Sequence, residues 1–109
     1  SLEDLAANKT MALVERHAPK DAVDIYFLMT KKKFTLARLR ALAGKKFGLQ
    51  MHEDTLLSEA LRAVKLLPEI RPMLHGTPRQ QEATLRKIQD YFQNISAEFL
   101  HKRLVELDN

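Results

Sequence analysis

The stretch HAPKDAVDIYF, residues 17–27, decides how the first half of the chain folds. Pro19 suits the first turn of a helix, where its missing N–H has no partner to lose, and Asp21 suits the positive end of the helix dipole. The apolar run at 25–29 follows within the same helix. The stretch therefore predicts a sharp turn and then a helix that places Asp21 and Asp24 beside a future core, where a charge costs stability unless it is paired or used.

Capping residues predict helices on both sides of this stretch. Upstream, Ser1 and Asp4 resemble a capping box that starts a first helix, which runs to about Arg16. Downstream, Thr35 is a favourable N-cap and Gly48 suits a left-handed C-cap, so a third helix lies between them. The first two helices would then form a hairpin closed by the short turn between them.

The second half of the chain predicts two more helices. A fourth spans roughly Glu53 to Leu66 and stops before Pro68. Thr77 and Pro78, an N-cap followed by a proline at the first helical position, start a long final helix. Its apolar residues follow a 3,4,3,4 spacing: Leu85, Ile88, Phe92, Ile95 and Phe99. We therefore expect an all-α fold, a compact bundle of about five helices with a long C-terminal helix and no strand.

The composition indicates one small domain. With 109 residues, 45% hydrophobic and 29% charged, the chain has enough apolar surface for one core and is not disordered. We treat residues 1–109 as a single helical domain. Its best internal boundary is the proline-containing segment 67–76, although Ile70, Met73 and Leu74 indicate that this segment packs.

The same composition excludes several classes of site. The chain has no cysteine, so it has no disulfide, no thiolate zinc site and no thiol nucleophile. No apolar run reaches the ~20 residues of a membrane span. We expect a cytoplasmic protein without a membrane partner.

Four charged residues of the first two helices form a candidate site. Lys9 and Arg16 are seven residues apart, so they lie about 20° from each other around a helix, with Ala12 between them. Asp21 and Asp24 share a face of the second helix. A helical hairpin therefore brings two cations opposite two carboxylates. On the charges alone, this arrangement fits both a salt-bridge network that closes the hairpin and a catalytic site.

The sequence of residues 4–29, DLAANKTMALVERHAPKDAVDIYFLM, resembles the paired C-terminal motifs of the AbiEii-type nucleotidyltransferase toxins of bacterial abortive-infection and toxin–antitoxin systems. In those motifs a Lys is followed three residues later by Ala and four further on by Arg. Arg-Asp or Lys-Asp comes shortly afterwards, then two residues, Asp and an aromatic-apolar run. The residues that match in order and spacing are Lys9, Ala12, Arg16, Lys20, Asp21, Asp24 and Tyr26.

This resemblance implies transfer of a nucleoside monophosphate from a nucleoside triphosphate (NTP) to an acceptor such as tRNA, with Mg²⁺ as cofactor. It implies catalytic roles for Lys9, which would bind phosphate, for Asp21, which would act as base or orient Lys9, and for Asp24, which would fix its helix. Arg16 and Lys20 would bind substrate. Lys20 stands where relatives often have Arg, and Lys does not reproduce the bidentate binding of Arg.

The magnesium-binding motif of that family is absent from this sequence. The motif is a Gly-Ser followed by Asp-x-Asp on a strand, and the chain has neither. We therefore interpret residues 1–109 as the helical C-terminal part of a larger nucleotidyltransferase, without metal ligands of its own and inactive alone. The partners implied are the N-terminal nucleotidyltransferase core, tRNA or another RNA acceptor, and an antitoxin.

The alternative is a stand-alone helical module that binds protein or RNA without catalysis. Seven Lys or Arg residues and no acid lie between residues 31 and 46. Such a patch either steers RNA or another polyanion or is simply a solvated face. The four histidines share no metal-ligand spacing, so we expect surface or capping roles for them rather than zinc binding.

Overall fold

The computed structural model describes residues 1–108. Across these residues the chain forms five α-helices and one 3₁₀ helix, and no strand: α1 (Leu2–Arg16), α2 (Pro19–Thr30), α3 (Leu36–Phe47), α4 (Glu53–Lys65), the 3₁₀ helix (Leu67–Met73) and α5 (Pro78–Asp108). The prediction of an all-α bundle of about five helices with a long C-terminal helix is confirmed. None of the helices in residues 1–108 is both long and apolar enough to span a membrane.

The turn between α1 and α2 consists of two residues. His17 ends α1 in the left-handed conformation, with φ 36° and ψ 41°, and its N–H donates to the Leu13 carbonyl at 2.7 Å. Ala18 is extended, and Pro19 follows as the first residue of α2. A connection this short forces the two helices to run back along each other as a hairpin.

Local capping fixes the helix starts, as predicted. The Ser1 hydroxyl accepts from the Asp4 N–H at 3.1 Å, and the Thr35 hydroxyl accepts from the Arg38 N–H at 3.1 Å. The reciprocal half of the box at Ser1 does not form, because the Asp4 carboxylate pairs with the Lys46 ammonium group at 2.9 Å. This ammonium group lowers the pKa of Asp4. The prediction that Asp4 completes the capping box is therefore wrong.

The core lies where α1, α2 and α4 meet, and α3 and α5 close it from either side. Its fully buried large side chains are apolar in all but two cases, Thr10 and Asp21. The Thr10 hydroxyl donates to the Ala6 carbonyl at 2.8 Å, which satisfies it within its own helix. Asp21 is therefore the one ionisable side chain in this set, and its contacts bear directly on the site.

The segment 67–76 packs against the bundle through part of its apolar residues. Leu67 is buried, and Ile70 and Leu74 are partly buried against the core. Met73 is 81% exposed, so the prediction that it packs is wrong. Ile70 and Met73 are three residues apart and therefore lie on the same side of the 3₁₀ helix. The difference in their burial comes from the position of the neighbouring helices α2, α4 and α5 along the segment.

A polar contact fastens this segment to α5. The Gln81 side chain is buried; its amide nitrogen donates to the Leu74 carbonyl at 2.7 Å and its oxygen accepts from Arg71 Nη1 at 3.0 Å. Arg71 Nε also lies 3.3 Å from the Glu82 carboxylate. Buried polar groups are stable when satisfied in this way. The segment is thus held by hydrogen bonds as well as by apolar packing.

The long helix α5 has a packed part and an exposed part. The predicted seam is confirmed: Leu85, Ile88 and Phe92 are buried, and Ile95 and Phe99 are partly buried against the core. After Phe99 every described residue is exposed, including four large apolar ones: Leu100, Leu104, Val105 and Leu107. Packing therefore stabilises α5 chiefly along its first two thirds.

Candidate functional site

The α1–α2 hairpin joins the four predicted charged residues in two ion pairs. Lys9 Nζ lies 3.0 Å from Asp24 Oδ2, and Arg16 Nη2 lies 2.9 Å from Asp21 Oδ1. The predicted arrangement of two cations opposite two carboxylates is therefore present. The two pairs differ in burial and in bonding, and this difference suggests what each can do.

The Arg16–Asp21 pair is closed, meaning that its carboxylate is buried and fully hydrogen-bonded. Arg16 Nε and Nη2 donate to Asp21 Oδ2 and Oδ1 at 3.0 and 2.9 Å, and the Ala18 N–H donates to Oδ2 at 3.3 Å. The Asp21 side chain is 1% exposed. Hydrogen bonding to this carboxylate, together with its charge, raises the pKa of Arg16. Both carboxylate oxygens are thus in use, and Asp21 ties the end of α1 to the first turn of α2.

The Lys9–Asp24 pair is open, meaning that it is accessible to water and held by one contact. The two side chains are 38% and 39% exposed, and the contact is a single one between Nζ and Oδ2. An ion pair in contact with water is weak, so a ligand phosphate can replace the carboxylate on the lysine at little cost. Lys9 contacts Asp24 rather than Asp21, so Asp24 is the carboxylate that orients it in this structure.

Lys20, the fifth predicted site residue, is exposed at the start of α2 and forms no ion pair among the described residues. Its neighbour Asp21 points into the hairpin while Lys20 faces solvent. The structure therefore does not bring Lys20 into either ion pair.

Contacts from α4 to the hairpin turn were not predicted. His17 Nδ1 lies 3.2 Å from the Glu59 carboxylate, and His17 Nε2 lies 3.4 Å from Arg62 Nη2. Arg62 also pairs with Glu59 at 3.2 Å within α4. The i,i+3 spacing of Glu59 and Arg62 was visible in the sequence. Their contact with the turn was not, because it depends on how α4 packs against α1.

The basic stretch between residues 31 and 46 is partly used inside the fold. Arg38 pairs with Glu3 at 3.2 Å, Lys46 pairs with Asp4, and Arg40 Nη1 donates to the Met51 carbonyl at 3.4 Å. The remaining members are exposed and form no ion pair within residues 1–108: Lys31, Lys32, Lys33 and Lys45. Three of these four are consecutive and lie at the far end of the hairpin from its turn.

The described residues do not by themselves fit a magnesium site. Within residues 1–108 no group of three or more His, Asp or Glu side chains is placed to hold a metal ion. Mg²⁺ binds through carboxylate oxygens. Both oxygens of Asp21 already accept hydrogen bonds from Arg16, and Asp24 faces Lys9. We therefore derive no chemical step through a metal from these residues.

A family model described as "Nucleotidyl transferase AbiEii toxin, Type IV TA system" matches residues 1–104. The chain belongs to this AbiEii family. The match covers nearly the whole chain, so the likeness first noted at residues 4–29 extends through α3, α4 and most of α5. All five predicted site residues lie inside it. No curated protein and no solved structure matches the chain.

Proposed function

We propose that this chain supplies the helical side of the active site of an AbiEii-type nucleotidyltransferase toxin. The observation that supports this most directly is the contrast between the two ion pairs of the hairpin. Arg16–Asp21 is closed and holds the helices in register, whereas Lys9–Asp24 is half-exposed and free to exchange partners. A site on a rigid hairpin with one labile ion pair is suited to binding a charged substrate.

The reaction is transfer of a nucleoside monophosphate from an NTP to an acceptor hydroxyl. The hydroxyl oxygen attacks the α-phosphorus, the bond from that phosphorus to the bridging oxygen breaks, and pyrophosphate leaves while the hydroxyl proton passes to water. Catalysis of phosphoryl transfer rests mainly on positioning and on neutralising charge. Lys9 supplies a positive charge to the phosphates, and Asp24 orients Lys9 before the NTP binds.

Asp21 acts in this proposal as a positioning residue. Its oxygens accept three hydrogen bonds and its side chain is almost fully buried, which does not suit a group that takes a proton from a substrate. Arg16, whose side chain is 53% exposed, has room to contact substrate while bound to Asp21. Lys20 is the exposed cation nearest to this pair in sequence and is the second candidate for substrate binding.

The metal ligands belong in this proposal to an N-terminal nucleotidyltransferase core outside residues 1–109. Two observations support that placement: the sequence has no Gly-Ser and no Asp-x-Asp, and the carboxylates of the hairpin are already engaged. The chain alone would then be inactive. The core would bring Mg²⁺ and its carboxylates to the triphosphate, opposite Lys9.

The acceptor and the opposing factor follow from the family and from the free cations. The exposed lysines Lys31, Lys32, Lys33 and Lys45 favour an RNA acceptor such as tRNA, since RNA binding depends on contacts between cations and phosphates. The family description names a type IV toxin–antitoxin system, which supports an antitoxin that opposes this activity.

The test uses the complete reading frame, sequenced upstream of the Ser1 codon, and the enzyme that it encodes. Transfer from a labelled NTP to RNA is measured for wild type, Lys9→Gln and the control Lys65→Gln, which removes an exposed lysine on α4. We expect Lys9→Gln to lower kcat/KM by about 10²-fold or more, as the loss of one stabilising charge does, and Lys65→Gln to have no effect. Full activity of Lys9→Gln contradicts the proposal.

A stand-alone binding module remains the second candidate, because the closed Arg16–Asp21 pair also fits a purely structural hairpin. It predicts a start codon directly before Ser1 and no transfer activity in any context. An upstream frame that encodes Gly-Ser and Asp-x-Asp would exclude it.

A further inference from the structure

Three side chains meet at the turn of the hairpin: His17 from the turn itself, and Glu59 and Arg62 from α4. His17 Nδ1 lies 3.2 Å from Glu59 Oε2, and His17 Nε2 lies 3.4 Å from Arg62 Nη2. Arg62 Nη1 lies 3.2 Å from Glu59 Oε1. The three side chains therefore form a closed ring of contacts, through which α4 holds the turn from outside the hairpin.

These contacts determine which nitrogen of the His17 ring carries a proton. A guanidinium group has only donors, so His17 Nε2 accepts from Arg62 and carries no proton. The proton of the neutral ring is then on Nδ1, which donates to the Glu59 carboxylate. Both ring nitrogens thus have a partner of the right kind on α4, and these two partners fix the orientation of the ring.

The backbone of His17 adopts a conformation that is uncommon for residues other than glycine. Its φ of 36° lies in the left-handed region, where a Cβ atom is unfavourable. Helices often end in this conformation, but the residue found there is usually glycine. Glycine would form the same turn without this cost. The histidine side chain therefore supplies something that glycine does not, namely the contacts with α4.

The same turn fixes the position of Arg16. Arg16 precedes His17 and Ala18 follows it, and both donate to the buried carboxylate of Asp21. The residue between these two donors is thus the one that α4 holds. Arg16 is 53% exposed, whereas Glu59 is 17% exposed. The candidate for substrate binding is open to solvent, and the group that anchors its turn is mostly buried.

We propose that Glu59 and Arg62 position Arg16 for binding the phosphates of the NTP. They act through His17: they fix its ring, the ring fixes the left-handed turn, and the turn sets the direction of the Arg16 side chain. This inference rests on the proposed function, because it takes Arg16 as a contact of the substrate. It gives α4, which contains none of the predicted site residues, a part in substrate binding.

His17→Gly separates this role from a contribution to stability. Glycine favours the left-handed turn, which offsets the lost contacts, so the midpoint of thermal unfolding should stay close to that of wild type. Lys33→Gly is the matched stability control, since Lys33 is exposed and also has a positive φ, 64°. In the complete enzyme His17→Gly should raise KM for the NTP about tenfold with kcat unchanged. An unchanged KM overturns the proposal.

Two substitutions of Glu59 give a second test, with rescue by the conservative one. Glu59→Ala removes the acceptor for His17 Nδ1, whereas Glu59→Gln keeps an acceptor oxygen. Glu59→Ala should raise KM for the NTP about tenfold, and Glu59→Gln by less than about threefold. The control Glu69→Ala removes an exposed carboxylate from the 3₁₀ helix and should leave KM unchanged. A wild-type KM in Glu59→Ala contradicts the positioning role.

Hydrogen exchange at Arg16 Nε tests the positioning without an assay of transfer. Nε donates to the buried Asp21 carboxylate at 3.0 Å, so its proton is protected, and NMR of the 109-residue chain measures the exchange rate. Glu59→Ala should raise this rate about tenfold, and Glu69→Ala should not. If the rate stays unchanged while Lys9→Gln abolishes transfer, the proposed function holds and the inference fails. If the rate rises while Lys9→Gln keeps full activity, the coupling from α4 to Arg16 holds and the proposed function fails.

Discussion

Asp21 and Asp24 lie one helical turn apart, but their carboxylates have different surroundings. Asp21 is buried and accepts from Arg16 and from the Ala18 N–H, whereas Asp24 shares a half-exposed contact with Lys9. Removing a buried acceptor leaves its donors unsatisfied, while removing one partner of an exposed ion pair leaves a charge that water can solvate. Substitution of Asp21 should therefore cost more stability than substitution of Asp24.

We expect Asp21→Ala to lower the free energy of unfolding by about 1–3 kcal/mol, and Asp24→Ala by about 0–1 kcal/mol. The proposed function further predicts that Asp24→Ala impairs transfer by the complete enzyme. Urea denaturation of both variants and of wild type gives the comparison. Equal destabilisation by the two substitutions would show that the difference in burial between Asp21 and Asp24 does not change their contribution to stability.

Which of these charged residues pair with each other could not be predicted from the sequence. The spacing of Lys9, Arg16, Asp21 and Asp24 was enough to predict that all four meet across a hairpin. It was not enough to predict which carboxylate meets which cation, because that depends on the offset and rotation set by the turn. The contact between His17 and Glu59 was beyond reach for the same reason, since it requires the packing of α4.

Gln81 connects α5 to the segment 67–76, which the sequence suggested as an internal boundary of the domain. Its amide satisfies the Leu74 carbonyl after the 3₁₀ helix and holds the Arg71 guanidinium from the first turns of α5. The segment between α4 and α5 contains two prolines, which limit its own backbone hydrogen bonds. The Gln81 side chain of α5 therefore supplies hydrogen bonds that the backbone of this segment cannot form within itself.

We expect Gln81→Ala to lower the free energy of unfolding by about 1–3 kcal/mol, because a partly buried carbonyl and a guanidinium group lose their partner. Gln93→Ala is the matched control, since Gln93 is exposed on the same helix. Chemical denaturation measures both. A cost for Gln81→Ala no larger than that of the control would mean that apolar packing alone holds the segment.

The first and last residues of the helices were predictable because the residues that cap a helix act on the adjacent turn. The cap at Thr35, the proline at residue 19 and the glycine at residue 48 act within one turn, and the structure begins and ends its helices there. The burial of Met73 was predicted wrongly because it depends on a neighbouring element. Ile70 and Met73 share one side of the 3₁₀ helix, so their spacing does not distinguish the covered residue from the exposed one.

In the molecule as a whole, the last turns of α5 extend beyond the packed bundle. The described residues from 100 onward are all exposed, and their contacts include the ion pair between Arg103 and Asp54 at 3.5 Å. The Arg103 guanidinium also lies over the ring of Phe99 on the same helix. An exposed ion pair of this kind contributes little to stability. The fold should therefore tolerate the loss of this segment.

We expect removal of residues 101–109 to change the free energy of unfolding by less than about 1 kcal/mol. The matched truncation, removal of residues 92–109, deletes the buried Phe92 and should prevent cooperative folding, since deleting a buried aromatic side chain alone costs about 3–5 kcal/mol. Thermal unfolding followed by circular dichroism compares the two. A large loss of stability from the shorter truncation would show that the exposed turns contribute packing.

The two-residue connection between α1 and α2 also bears on how fast the chain folds. Contacts between residues close in sequence form early because little chain entropy is lost in closing them, and helix formation and short-loop closure take about a microsecond or less. Both ion pairs join residues between Lys9 and Asp24. Because synthesis proceeds from the N-terminus, these charges can meet while α5 is still being translated.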